Sequence, residues 1–164
     1  MDLIDKYENL IISRSFSKNF GLAGLRLGFA ISNPQNIKKL AAFDQHFRVN
    51  RMAEKAAEKV LKYLDYYRKA WEKIKKVRDK FARQINELGF SAYDSQANFV
   101  LVEFNNKEET ERAWKYLKEN GVYTLPGWEN EFSGLGGQFI RFTIGNELEM
   151  DKVVEVLSDY VKKG

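Results

Sequence analysis

The chain has 164 residues, 44% of them hydrophobic and 30% charged, with two prolines and no cysteine. That composition describes a folded chain able to bury a core, and it excludes disordered, collagen-like, disulfide-stapled and thiolate-metal classes. The net charge of +4, from 27 basic and 23 acidic residues, is spread with alternating sign along helical stretches, which describes solvated helix faces and argues against a nucleic-acid partner.

No apolar run approaches a membrane span, so no membrane partner is expected. The first nine residues carry Asp2, Asp5, Lys6 and Glu8, which a secretory h-region does not tolerate, so a cytoplasmic location is the expectation. Residues 10–12 and 25–31 are apolar runs with the glycine-bearing stretch 18–24 between them, and two strands flanking a loop is the simplest reading. Pro34 then opens a short helix to about Phe43, because proline suits a first helical turn. The single histidine, His46, is read as structural or interfacial. From Ala53 to Leu88 apolar residues recur every three or four positions, predicting one long amphipathic helix or two in tandem with a break near Asp65, ended by Gly89.

The pattern changes at residues 99–104, Phe-Val-Leu-Val-Glu-Phe, which read as a strand. Asn106, with Glu109 three positions on, caps a helix that stops at Gly121. A strand-like stretch at 122–125, a glycine-rich loop at 133–137 and a strand at 139–144 follow. Asn146 and Glu149 form a second capping pair, and the last helix puts Met150, Val153, Val154, Leu157, Tyr160 and Val161 on one face. The end of the chain is thus a compact α/β unit. The hairpin at the start has too few strand partners to make a protected sheet, since an isolated two-stranded sheet exposes both edges.

Chemistry concentrates in Ser15-Phe-Ser-Lys-Asn-Phe-Gly-Leu-Ala-Gly-Leu-Arg-Leu-Gly28. Serine hydroxyls and an arginine fork suit a phosphate, and glycines allow a backbone to approach a ligand. The stretch is not a Walker loop, because Lys18 precedes the glycines, and Gly21, Gly24 and Gly28 are wrongly spaced for a dinucleotide fingerprint. Read without relatives, it is equally a hairpin loop with a surface lysine. Arg141 lies on a strand whose alternation sets Ile140, Phe142 and Ile144 on one face and Phe139, Arg141 and Thr143 on the other. The first face can pack on helices, and the second can present a guanidinium to a carboxylate.

The same stretch resembles the cofactor-lysine signature of class I/II aminotransferases, the pyridoxal-phosphate (PLP) enzymes of fold type I. Ser15, Phe16, Ser17 and Lys18 fill its lead-in, Gly21 and Leu22 its middle, and Gly24, Arg26 and Gly28 its close. Together with Ser95-Gln-Ala-Asn-Phe99 and Phe139-Ile-Arg-Phe-Thr-Ile-Gly145, the wording is most similar to the histidinol-phosphate aminotransferase branch. The resemblance implies that Lys18 holds PLP covalently and that Ser15, Ser17 and Arg26 help to bind it. Arg141 would bind the substrate carboxylate, and Asn98 would line the same pocket. It implies an α/β chain made of a remnant of the PLP-binding large domain (residues 1–50), a linking helix or helices (51–88) and a C-terminal small domain (89–164).

The function so implied is amino transfer between an amino acid, or a histidinol-phosphate-like donor, and a 2-oxo acid. The family's homodimer, or self-association through unpaired strands, is expected with it. A PLP-dependent decarboxylase of an amino-acid phosphate and a non-catalytic folded fragment are the rival readings. The family's glycine-rich phosphate turn, its aromatic ring stacked on the cofactor and its Asn, Asp and Tyr contacts to the pyridine ring cannot be placed in this sequence. A form lacking the N-terminal half is therefore expected to have little activity alone. His46-Phe-Arg-Val-Asn50 also stands where the branch has a proline-containing segment.

Overall fold

The computed structural model describes residues 3–43, 49–129 and 136–163. His46 and most of the expected loop at 133–137 lie outside them. The chain divides into two compact units, Met1–Lys69 and Ala70–Gly164.

In the first unit, strands β1 (Ile12–Ser15) and β2 (Gly28–Ile31) pair antiparallel, with Ile12 opposite Ile31 and Ser15 opposite Gly28. The first strand thus lies further along than the apolar run at 10–12 indicated. Its residues Ser13, Arg14 and Ser15 are polar, so pairing with β2 rather than apolar content defines them. Helix α1 (Pro34–Ala42) begins on Asn33, whose side chain accepts the Asn36 N–H at 2.9 Å. Helix α2 (Arg51–Leu61) begins on Asn50, which accepts the Ala53 N–H at 2.8 Å.

Helix α3 (Leu64–Glu87) starts in the first unit and runs into the second. The break before it falls at Lys62 and Tyr63, slightly ahead of the expected Asp65. There the Lys62 and Tyr63 N–H groups turn back to the Lys59 and Val60 carbonyls at 3.1 and 3.0 Å, ending α2. The first unit's core is small: Phe16, Ala57 and Val60 are buried, with Phe20, Leu22, Leu27 and Tyr67 packed against them.

The second unit carries a four-stranded antiparallel sheet. Strands β3 (Ser91–Ala92), β4 (Phe99–Glu103), β5 (Leu125–Pro126) and β6 (Phe139–Thr143) stand in the order β3-β4-β6-β5. Helices α4 (Lys107–Glu119) and α5 (Glu147–Lys163) complete it. Its core joins Phe81 and Ile85 of α3, Val100 and Val102 of β4, Ile140 and Phe142 of β6, and Leu117, Met150, Val153 and Leu157 of the two later helices. On α5 the buried face includes Val156, which the expected face omitted, while Val161 is exposed.

Both predicted glycine stops are real, and both are Schellman turns. At the end of α3 the Phe90 N–H reaches the Ile85 carbonyl (3.3 Å) and the Gly89 N–H the Asn86 carbonyl (3.0 Å), with Gly89 at φ +92°. At the end of α4 the corresponding bonds run from Val122 to Leu117 (2.9 Å) and from Gly121 to Lys118 (3.1 Å). The second turn also explains why β5 starts at Leu125 and not at Val122. Val122 spends its N–H on the helix end and so has no donor to offer a ladder.

Candidate functional site

The lysine hairpin is built from its buried residue outward. Phe16 lies 5.1 Å from Phe20 and 5.6 Å from Phe29 between ring centroids, and it joins the small core of the first unit. Main-chain bonds close the loop above it: Phe16 N–H to Leu27 carbonyl (3.1 Å), Leu22 N–H to Phe16 carbonyl (3.1 Å) and Gly21 N–H to Lys18 carbonyl (3.2 Å). Glycine is required at two places. Gly21 sits at φ +69°, and a Cβ at Gly28 would approach the Arg14 carbonyl oxygen to 2.7 Å, so only glycine lets β2 come this near β1.

This scaffold leaves Ser15, Lys18 and Arg26 exposed and Ser17 half-buried. Ser15 Oγ accepts the Ser17 N–H at 3.0 Å and keeps its own O–H to donate. Arg26, at φ +51°, is the one non-glycine residue with positive φ among the described residues. A left-handed conformation at such a residue costs about 1–3 kcal/mol, and strain of this kind clusters at functional sites. One of the Arg26 guanidinium donors is spent on the Ala23 carbonyl at 3.2 Å, leaving the rest of the fork. A hydroxyl, a guanidinium and an ammonium presented on one pinned loop are the donor set that a phosphorylated ligand with a reactive carbonyl calls for.

The second group of predicted residues lies in the other unit. β6 alternates as expected: Ile140, Phe142 and Ile144 are buried, Phe139 and Arg141 half-buried and Thr143 exposed. Arg141 is more enclosed than a freely presented guanidinium. Its Nε is buried without a hydrogen-bond partner among the described residues, and its Cζ stands 4.2 Å from the Phe99 ring centroid. A buried unpaired donor of this kind is costly unless a ligand satisfies it. Asn98 is half-buried, and its carbonyl accepts the Ile144 N–H at 2.8 Å, extending the β4–β6 ladder by one bond.

Two features escaped the sequence reading. Arg78 is buried on α3, bonded to Asp79 (2.9 Å) and donating to the Ala97 carbonyl (3.4 Å), where it braces the turn that leads into Asn98. The signal was available: positions 74, 78, 81 and 85 form one helical stripe, and an arginine at 78 interrupts it. The other is the ring of Phe99, whose place beside Arg141 depends on strand register. Nearby, the Tyr93 O–H donates to the Glu103 carboxylate at 2.6 Å, and that bond, aided by the carboxylate's charge, holds the phenol above its ordinary pKa range.

The family model for aminotransferase class I and II matches residues 1–157. A histidinol-phosphate aminotransferase from Geotalea uraniireducens is 33% identical over 160 residues, covering 97% of this chain and 44% of that protein. The solved histidinol-phosphate aminotransferase of Clostridium acetobutylicum aligns over 99% of this chain and 49% of its own, at 29% identity and a TM-score of 0.86. That of Sinorhizobium meliloti, in complex with pyridoxal-5'-phosphate, aligns over 98% and 44%, at 26% identity and a TM-score of 0.78. The chain thus spans a little under half the length of the relatives it matches.

Proposed function

Because this chain belongs to the class I and II aminotransferase family, we propose that it is the lysine-bearing and small-domain portion of a PLP-dependent aminotransferase acting on an amino acid and a 2-oxo acid. The observation that carries this reading is the pinned hairpin, in which Phe16 is buried and Ser15, Lys18 and Arg26 are exposed. Lys18 Nζ is the covalent point of attachment for PLP, and Ser15 Oγ and the Arg26 fork hold its phosphate, with Ser17 beside them.

PLP, when bound, supplies the electron sink that stabilises charge at the substrate Cα. The chain's residues supply binding, orientation and proton transfer. With PLP held there, the Lys18 amine would serve as the base that takes the proton from the substrate Cα. Arg141 binds the substrate carboxylate with two parallel N–H donors, a geometry a lysine cannot reproduce, and Asn98 lines the same subsite. Homodimerisation and a cytoplasmic location belong to the same proposal, and no described helix is long and apolar enough to cross a membrane.

The test is PLP labelling of the purified chain. Borohydride reduction is expected to fix the label on Lys18 alone, and Lys18→Ala to abolish it. Label spread over many lysines and unchanged by that substitution would defeat the assignment. In coupled assays with a panel of amino acids, this polypeptide alone is expected to fall far below the about 1–1000 per second of typical enzymes. Activity should return when the portion of its relatives that it does not match is supplied. Release of carbon dioxide in place of a 2-oxo acid would move the reading to a decarboxylase.

A further inference from the structure

Arg141 has an apolar setting. Directly across it stand Leu101 on β4 and Leu125 on β5, and Phe99, which pairs with Thr143, is one diagonal step away. The strand pattern of β4 puts Val100 and Val102 into the core and leaves Phe99 and Leu101 half-buried on the opposite face. The Phe99 ring therefore does not fill the core. What it does contact is the guanidinium of Arg141, at 4.2 Å.

We propose that Phe99 is a positioning residue, whose ring face holds the Arg141 guanidinium and thereby aims its fork at a carboxylate. The proposal rests on the reading of Arg141 as the carboxylate-binding group. A free arginine fork samples many rotamers, and ordering it at each binding event weakens binding. An acidic or carbonyl partner could order it, but only by consuming N–H donors that a ligand needs. An aromatic face attracts the cation through its quadrupole and consumes none. The contact itself uses no in-plane donor, and the buried Nε–H has no partner among the described residues. A leucine at 99 would cover similar area without the quadrupole, and a tyrosine would keep the ring.

The experiment follows the Arg141 Nε–Hε resonance by 15N NMR in the whole chain, assigned by its disappearance in Arg141→Lys, with acetate as the carboxylate probe and chloride as the ionic-strength control. In the unsubstituted chain the proton is expected to be displaced upfield by the ring and to shift on addition of acetate. Phe99→Leu should remove the displacement and weaken acetate binding about two- to thirtyfold, the range of a cation–π contact between exposed and desolvated settings. Phe99→Tyr should preserve both. Loss of the displacement in Phe99→Leu with unchanged acetate affinity overturns the positioning role while leaving Arg141 as the carboxylate group. An unsubstituted chain in which Arg141 does not respond to acetate overturns the reading of Arg141 itself, and the positioning role with it. A Phe99→Tyr variant as weak as Phe99→Leu assigns the effect to packing and also overturns the proposal.

Discussion

In the second unit, Phe81, Ile85, Val100, Val102, Leu117, Ile140, Phe142 and Leu157 are all effectively inaccessible to solvent, so three helices and a four-stranded sheet share one core. In the first unit, Phe16, Ala57 and Val60 form the cluster, while Leu3, Tyr7, Ile11, Phe29, Leu40, Met52, Leu61, Tyr63 and Tyr66 stay exposed. Its sheet is a single hairpin, and a two-stranded sheet is marginally stable in water. The lysine loop belongs to the unit with the smaller core and Arg141 to the unit with the larger one. The residues proposed to bind the cofactor thus sit where local order rests on few buried contacts, in keeping with the general placement of binding loops at the low-stability end of a structure.

Amide exchange gives the largest contrast. Amides of Val100, Val102, Ile140 and Phe142 are expected to exchange at least about a hundredfold more slowly than those of Ser13 to Ser15 and Phe29 to Ile31, a difference of about 2.7 kcal/mol. Hairpin amides as slow as those of the central strands in a monomer would remove the distinction between the units. If they become slow only in a dimer, strand pairing between chains is the explanation.

Truncating one phenylalanine in each unit sharpens the comparison. Phe142 is 1% exposed and 5.5 Å from Phe81, so Phe142→Ala should cost about 3–5 kcal/mol in denaturant unfolding. Phe16 is nearly as buried, at 5%, but its neighbours Phe20, Leu22 and Leu27 are only partly so. Phe16→Ala should cost about 1–3 kcal/mol, because an open site relaxes and admits water, and its chemical-shift changes should stay within residues 12–67. A cost at Phe16 equal to that at Phe142 would show the first unit to be as well packed as the second.

The second unit was also the more legible in the sequence. Its strands at 99–104 and 139–144, its capped helices and its glycine stops are local signals that agreed with the tertiary structure, as expected where levels of organisation are consistent, whereas the strand-like stretch at 122–125 contributes only Leu125 to a strand. Ser91 and Ala92 were missed as a strand because two residues have no periodicity to read. In the first unit β1 was misplaced by two residues because its polar sequence carries no alternation. At the site, the loop residues were legible as a motif, and Arg141 by alternation. The brace at Arg78 and the ring beside Arg141 depend on which helix stripe and which strand register the fold selects, and neither is a property of a short window.

The smallest effect isolates one kind of bond, the asparagine N-cap, that occurs separately in each unit. Asn50 begins α2 by accepting the Ala53 N–H at 2.8 Å, and Asn146 begins α5 by accepting the Glu149 N–H at 3.1 Å, while Glu149 accepts the Asn146 N–H at 2.7 Å. An N-cap asparagine replaced by alanine costs about 0.5–2 kcal/mol through the orphaned helix donor. The local loss is thus similar at both places, with a slightly larger one at Asn146 because its capping box is reciprocal. What differs is the transition in which the loss is read. If each unit unfolds as its own cooperative body, Asn146→Ala lowers the midpoint of the later transition and Asn50→Ala that of the earlier one, leaving the other unchanged. Tryptophan fluorescence reports the later transition, because Trp71, Trp114 and Trp128 all belong to the second unit. Ring-current-shifted methyl signals from Leu22 and Leu27, beside Phe16, report the earlier one. Equal shifts of both signals by either substitution would mean that the chain unfolds as one body, and the contrast between the units would then describe packing but not stability.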